Sequence, residues 1–233
     1  MSKYLWSTIA IIAVLASWPA YKVYSELGKA QSEDPLVWEE DIEALLKKTS
    51  SKPGDVLFMG SSSIRFWDTL ARDMAPLGTI NRGFGGAKFA DAIYYADKLV
   101  DVVDPAAIVI FVGTNDIHPG ATKPAEVLLN SFRELIAKIR RTHALTPIYY
   151  IAITPSTMRW EVWPIAERTN QLIEQFTAQD ETLHFIDTGP ALLRDGEPNR
   201  AFYVLDGLHL NDSGYQTWTD IIRPRLLADL TKN

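Results

Sequence analysis

The chain has 233 residues and no cysteine. Disulfides, thiol nucleophiles and thiolate-bound metals are therefore excluded, and the composition suits an oxidising compartment. Basic charge is also scarce. The 23 Lys and Arg are outnumbered by 29 Asp and Glu, giving a formal net charge of -6 with no basic stripe. That argues against a nucleic-acid partner. There are only 4 histidines, and no dense His/Asp cluster with a regular metal spacing, so a metal site is not expected. Internal repeats and low-complexity segments are absent as well. What remains is 47% hydrophobic and 22% charged, the make-up of one folded domain with a full core.

One long apolar run stands apart. From Tyr4 to Tyr21 there is no charge, with aromatics at both ends (Tyr4 and Trp6, then Trp18 and Tyr21). Its length is about that of a short membrane span, and the aromatics fit an interfacial belt. Residues 1–24 are expected to be an N-terminal membrane anchor or a signal segment, 25–34 a linker, and 35–233 the functional domain. Either form of the N-terminus sets that domain outside the cytoplasm, anchored or exported.

Beyond residue 34, short apolar runs alternate with amphipathic stretches. Strand-like runs occur at 55–59, 79–81, 107–112, 148–153 and 184–187. Helical patterns occupy 35–49, 64–74, 87–103, 124–142, 162–179 and 212–230, with Asn211-Asp212-Ser213 as an N-cap cluster. Such alternation predicts an α/β fold with a five-stranded parallel sheet covered on both faces. In such sheets ligands bind at the carboxyl ends of the strands. Ser61-Ser62-Ser63, Asn81 to Gly86, Gly113 to Asp116 and Asp206 to Asn211 all follow strands, so they are expected on one edge.

These clusters carry the ingredients of nucleophilic catalysis. A serine hydroxyl is inert until a base takes its proton. Ser62 lies at a strand-to-helix junction, where a helix-capping serine is an equally ordinary occupant. His209 follows Asp206 by three residues in a glycine-containing loop, so the carboxylate can orient the imidazole from the same turn. Gly86 and Asn115, with the Ser62 N–H, would supply donors for the charge that develops on a carbonyl oxygen. The G-x-S-x-G elbow of α/β-hydrolases is missing, because Ile64 stands where its second glycine belongs.

The ordered blocks Met59-Gly60-Ser61-Ser62-Ser63-Ile64, Asn81-Arg82-Gly83-Phe84-Gly85-Gly86, Gly113-Thr114-Asn115-Asp116 and Asp206-Gly207-Leu208-His209 resemble those of the SGNH, or GDSL-type, esterase/lipase superfamily. The resemblance extends from about Trp38 to Trp218, with a Gly-Ser-Ser-Ser variant of the first block. It implies a flavodoxin-like three-layer α/β/α sandwich and a serine ester hydrolase that needs no cofactor. Ser62 would be nucleophile, His209 base and Asp206 its orienting acid, with Ser62, Gly86 and Asn115 forming the oxyanion hole.

Three other readings use the same residues. Asp116 and His118 would have to join Asp206 and His209 in a metal-dependent hydrolase. An O-acyltransferase would pass the acyl group to a glycan or lipid hydroxyl instead of water. A binding domain would keep the fold without the chemistry. No long lid insertion is present, so short acyl or acetyl esters are expected ahead of long-chain fat, while lysophospholipid, thioester and acetylated glycan stay open as substrates. Arg159 and Trp160 follow the fourth strand and are candidates for the substrate rim, whereas Trp67 and Trp163 are expected to pack against the sheet.

Overall fold

A computed structural model of the protein describes residues 25, 26, 28–101 and 104–230. The anchor or signal segment expected at 1–24 lies outside the described residues. Among the described residues no helix is long and apolar enough to cross a membrane.

Five strands build the sheet: β1 (Val56–Gly60), β2 (Thr79–Gly83), β3 (Ala107–Phe111), β4 (Ile148–Ile151) and β5 (Leu183–Ile186). Their order is β2-β1-β3-β4-β5 and every pairing is parallel. Parallel neighbours need crossovers, and the amphipathic stretches supply them. The helices are α1 (Glu39–Lys48), α2 (Ser62–Arg65), α3 (Leu70–Asp73), α4 (Phe89–Val100), α5 (Ala125–Ile139), α6 (Trp163–Thr177) and α7 (Asp212–Leu230).

Both sheet faces are covered, which explains why the strands read as unbroken apolar runs. Leu57, Met59, Ile108, Ile110, Ile148 and Tyr150 point into one core with α1, α4, α5 and α6. Val56, Phe58, Val109, Phe111, Tyr149 and Ile151 point into the other, against Ile64, Trp67, Trp218, Ile222 and Leu226. Trp67 is buried in the second core and Trp163 packs on the first, as expected. The expected three-layer α/β/α sandwich is the observed fold.

Two local differences have physical causes. The helix expected over 64–74 is broken into α2 and α3, because the Trp67 indole and the Thr69 hydroxyl both donate to the Asp73 carboxylate and hold the intervening chain off the helical path. The helix expected over 35–49 opens as a 3₁₀ turn, Pro35–Trp38, capped by the Asp34 side chain, which accepts from the Leu36 N–H at 3.0 Å. At the far end Asn211 caps α7, accepting from the Gly214 N–H at 3.1 Å.

Residues 28–31 are helical and lie against the domain. Glu26 pairs with Arg65 at 3.0 Å, and Lys29 with Asp41. Glu33 pairs with Lys88 at 2.6 Å and with Lys123 at 3.3 Å, and the Lys88 ammonium also donates to the Ser32 carbonyl at 2.8 Å.

The chain leaves β1 to one side for β2 and returns on the other side for β3. Strand order therefore reverses at β1, the point at which ligands bind beyond the carboxyl ends of such sheets. Ser62 lies just beyond the carboxyl end of β1, and Asn115 just beyond that of β3.

Candidate active site

The sharp exit from β1 depends on Gly60, whose φ is +139°. A Cβ at this position would fall 1.9 Å from the Phe111 carbonyl oxygen, so only glycine permits the approach. Ser61 is extended, donates its N–H to that same carbonyl at 2.9 Å and occupies the N-cap of α2. Ser62 is the first residue of the helix, and its hydroxyl is engaged elsewhere.

That hydroxyl lies 2.8 Å from His209 Nε2. On the other side of the ring, Nδ1 lies 2.6 Å from Asp206 Oδ2. With Nδ1 protonated, the ring donates to the carboxylate and Nε2 accepts from the serine. Asp206 Oδ1 also accepts the N–H groups of Leu208 at 2.8 Å and His209 at 3.0 Å. Burial pushes the Asp206 carboxyl up, but the ring and these two N–H groups outweigh it and hold the group below its ordinary value. The turn between acid and imidazole needs Gly207, at φ +69°, where a Cβ would fall 2.1 Å from Thr157 Oγ1. Phe66 meets the imidazole edge-on at 5.1 Å between ring centroids and limits its tilt.

The glycine and asparagine blocks meet beside this relay. Asn115 donates through Nδ2 to the Ala87 carbonyl at 3.1 Å, which ties the two blocks together. Gly86 sits at φ +61°. Among the described residues the backbone N–H groups of Ser62 and Gly86 have no acceptor. Behind them Asp116 accepts from the Phe89 N–H and from Lys123, both at 2.9 Å. Burial raises the Asp116 carboxyl, and Lys123 opposes that shift.

The structure thus brings Ser62, His209 and Asp206 into one hydrogen-bonded line, with Gly86 and Asn115 linked to each other through Ala87. The two rim candidates are divided. Arg159 lines a narrow cavity shared with Thr114, while Trp160 stacks on Trp163 with centroids 5.9 Å apart. Sequence reasoning missed Asn81, Phe66 and Tyr215. Asn81 is bonded to the turn that carries Ser62, and Tyr215 donates to the Ser63 carbonyl at 2.9 Å. Asn81 at a strand end, two residues before Gly83, was the one available signal.

A cleft of about 630 Å³ borders His209 and Asp206 on the side of Phe66, Asp68 and Asp212. Ser62, Gly86 and Asn115 do not line it. Among the described residues no group of three or more His, Asp or Glu is arranged to hold a metal ion.

Residues 53–217 match the model of the GDSL-like lipase/acylhydrolase family. No curated protein sequence matches the chain. Among solved structures it is similar to a protein from Streptococcus pneumonia assigned as a platelet activating factor, with TM-score 0.70, 22% identity, and coverage of 92% of this chain and 99% of that one. A GDSL-like lipase from Bacteroides thetaiotaomicron gives TM-score 0.63 and 16% identity, covering 84% of this chain and 98% of that one. A carbohydrate esterase of family 3 from Talaromyces cellulolyticus gives TM-score 0.61 at 16% identity, covering 77% and 99% respectively.

Proposed function

Because the chain belongs to the GDSL-like lipase/acylhydrolase family, whose members hydrolyse esters, we propose that it is a serine carboxylesterase for short acyl or acetyl esters, working through Ser62, His209 and Asp206. The observation that carries this reading is the unbroken contact from the Ser62 hydroxyl through the His209 ring to Asp206, at 2.8 Å and 2.6 Å.

The Ser62 oxygen attacks the ester carbonyl carbon while its proton passes to His209 Nε2. The carbonyl oxygen becomes an oxyanion, met by the N–H groups of Ser62 and Gly86 and by the Asn115 amide. His209 then gives the proton to the departing alcohol oxygen, the C–O bond breaks, and an acyl-Ser62 ester remains. Water repeats the sequence: His209 takes its proton, its oxygen adds to the acyl carbon, and the carboxylic acid leaves as Ser62 is reprotonated. Asp206 keeps Nδ1 protonated and steadies the imidazolium throughout.

Short acyl groups are favoured by the absence of a long covering insertion among the described residues. Beyond the strand ends the chain carries short helical turns, among them Thr114–Asp116 and Arg200–Phe202, and the two-residue hairpin strands Ile117–His118 with Ala121–Thr122 and Leu193–Arg194 with Glu197–Pro198. The Talaromyces neighbour, described as a carbohydrate esterase, supports an acetylated sugar as one substrate to test. Export or N-terminal anchoring rests on the uncharged run from Tyr4 to Tyr21, and an intact N-terminus in a soluble cytosolic fraction would defeat it.

The deciding experiment is hydrolysis of p-nitrophenyl esters of increasing chain length by wild type and Ser62→Ala. The expected result is highest kcat/KM on the shortest esters and a loss of roughly 10⁴-fold or more in the variant. Retention of activity by Ser62→Ala refutes the nucleophile, and a maximum at long chains refutes the substrate size. Product analysis with added alcohol separates hydrolysis from acyl transfer.

A further inference from the structure

The chain ahead of the domain is fastened at the edge where Ser62 and His209 meet. Glu26 pairs with Arg65 at 3.0 Å, and Arg65 closes the short helix that begins at Ser62. The Arg65 guanidinium lies over the Phe66 ring, 4.7 Å from its centroid, and the Phe66 ring meets His209 at 5.1 Å. Two side chains therefore stand between Glu26 and the imidazole. Further on, Ala30 lies against Gly86, and Glu33 holds Lys88 and Lys123. These contacts fasten the segment to the rim of the site, where a free linker would swing.

Glu26 comes five positions after Tyr21, the last residue of the uncharged run expected to anchor the chain. Five extended residues reach roughly 18 Å at most. A domain of this length is about 40 Å across. Such a tether holds the edge carrying the site near a bilayer and keeps the opposite end of the sheet away from it.

The surface at that edge is apolar in the matching place. Phe66, Met158, Val204 and Leu205 are exposed, Leu205 by 95%. All four adjoin the loop from Asp206 to His209. Phe66 packs on the imidazole, and Leu205 precedes Asp206. Val204 donates its N–H to the His209 carbonyl at 2.9 Å, and Met158 donates its own to the Gly207 carbonyl at 3.0 Å. Phe66 and Val204 also line the cleft beside His209. His209 has to protonate the departing alcohol, so the alcohol half of the ester passes along these side chains. Exposed apolar groups gathered in one place mark a contact surface.

We infer that the N-terminal run holds the site facing a lipid bilayer, with Leu205 and its neighbours dipping into the interface. The substrate is then a short-acyl ester whose alcohol half is embedded in that bilayer. This deepens the esterase reading and rests on it, and it commits the run from Tyr4 to Tyr21 to anchoring.

The chain has no cysteine, so one introduced thiol takes a dye at one place. The full chain is reconstituted into phosphatidylcholine vesicles that carry nitroxide-labelled lipid. The dye sits at Leu205→Cys or, for the opposite edge, at Leu145→Cys, where the native side chain is 80% exposed just ahead of β4. The nitroxide is expected to quench the first several-fold more than the second. Equal quenching at the two positions overturns the inference. So does a chain that does not stay with the vesicles, or a dye at 205 that is shielded but unquenched, the sign of a second copy seated there. The substrate class is read from 1-O-hexadecyl-3-O-acetylglycerol in the same vesicles against water-soluble 1-O-methyl-3-O-acetylglycerol. Wild type should favour the vesicle-borne ester by roughly tenfold or more in rate, because enzyme and ester share one surface. Leu205→Glu should lower that ratio, and Leu145→Glu should leave it. Equal rates, or preference for the soluble ester, overturn the substrate class. No hydrolysis of either ester by wild type, or hydrolysis that survives Ser62→Ala, overturns instead the esterase reading, while the quenching still decides the orientation.

Discussion

Asn81 holds the carbonyl of Ile64 through its Nδ2 at 2.6 Å, and its Oδ1 accepts from the Gly83 N–H at 3.0 Å. One amide thereby fastens the end of β2 to the short helix that presents Ser62. Asn81→Ala leaves a carbonyl and an N–H without these partners, and is expected to cost about 1–3 kcal/mol of stability. Urea unfolding measures that loss. Steady-state kinetics should show kcat falling more than KM changes, since the helix that carries Ser62 loses its tie.

Gly86→Ala is expected to damage both stability and rate. The residue sits at φ +61°, a conformation that costs a non-glycine residue about 1–2 kcal/mol. Its new Cβ would also meet the Ala30 Cβ at 2.6 Å and the Trp38 ring at 3.0 Å. Displacing the loop removes the N–H proposed as an oxyanion donor, for which kcat should drop by about 10²-fold or more. Adding Ala30→Gly should return part of the stability by relieving the contact with residue 30. A double variant no more stable than the single one would show that residue 30 does not press on the loop.

Asp206→Asn tests the orienting role apart from the fold. The amide keeps the size of the carboxylate but favours the wrong ring tautomer, and kcat should fall by about 10³–10⁴-fold. A variant with near-normal turnover would sink the relay. Circular dichroism should show secondary structure unchanged.

Asp91 gives a prediction in pH. Burial raises its carboxyl to about 6 from an ordinary 3.8, against the pull of the Lys88 backbone N–H and charge, while Asp116 and Glu33 push the same way as burial. The folded state thus holds the proton more tightly than the unfolded chain does. Its ionised form costs stability in full above about pH 6, and that cost fades as the pH falls toward 3.8. Asp91→Asn removes the charge and keeps an acceptor for Lys88. It should be more stable than wild type at pH 8 by on the order of 1–3 kcal/mol, with the gap closing near pH 4. Equal urea midpoints at pH 8 would contradict it.

Much of the fold was legible because its signals are local. The five strands are short apolar runs ended by Gly, Pro or Asn, and their observed bounds lie within about two residues of expectation. The blocks that meet at the candidate site were legible as residue types at fixed spacings, above all Asp206 and His209, which the structure places 2.6 Å apart. Other features depend on partners far along the chain. The break between α2 and α3 arises where Trp67 and Thr69 converge on Asp73, which no periodicity foretells. Polar, acidic composition made residues 25–34 read as a linker, yet Arg65 lies 39 positions beyond Glu26 and Lys88 lies 55 beyond Glu33. Asn81 gave a hint by its place two residues before Gly83, but its partner Ile64 lies 17 residues away, which no local pattern reveals.

Recombinant work on this protein inherits a rule from the segment that carries Glu26, Ala30 and Glu33. A soluble fragment begun at residue 35, where the compositional boundary falls, would strip the Lys88 ammonium of both its Ser32 and Glu33 partners, although that side chain is only 4% exposed. It would also bare the flank of Gly86. Primers placed upstream of Ser25 keep that stitching, and assays on shorter fragments would report a weakened enzyme for reasons unrelated to its chemistry.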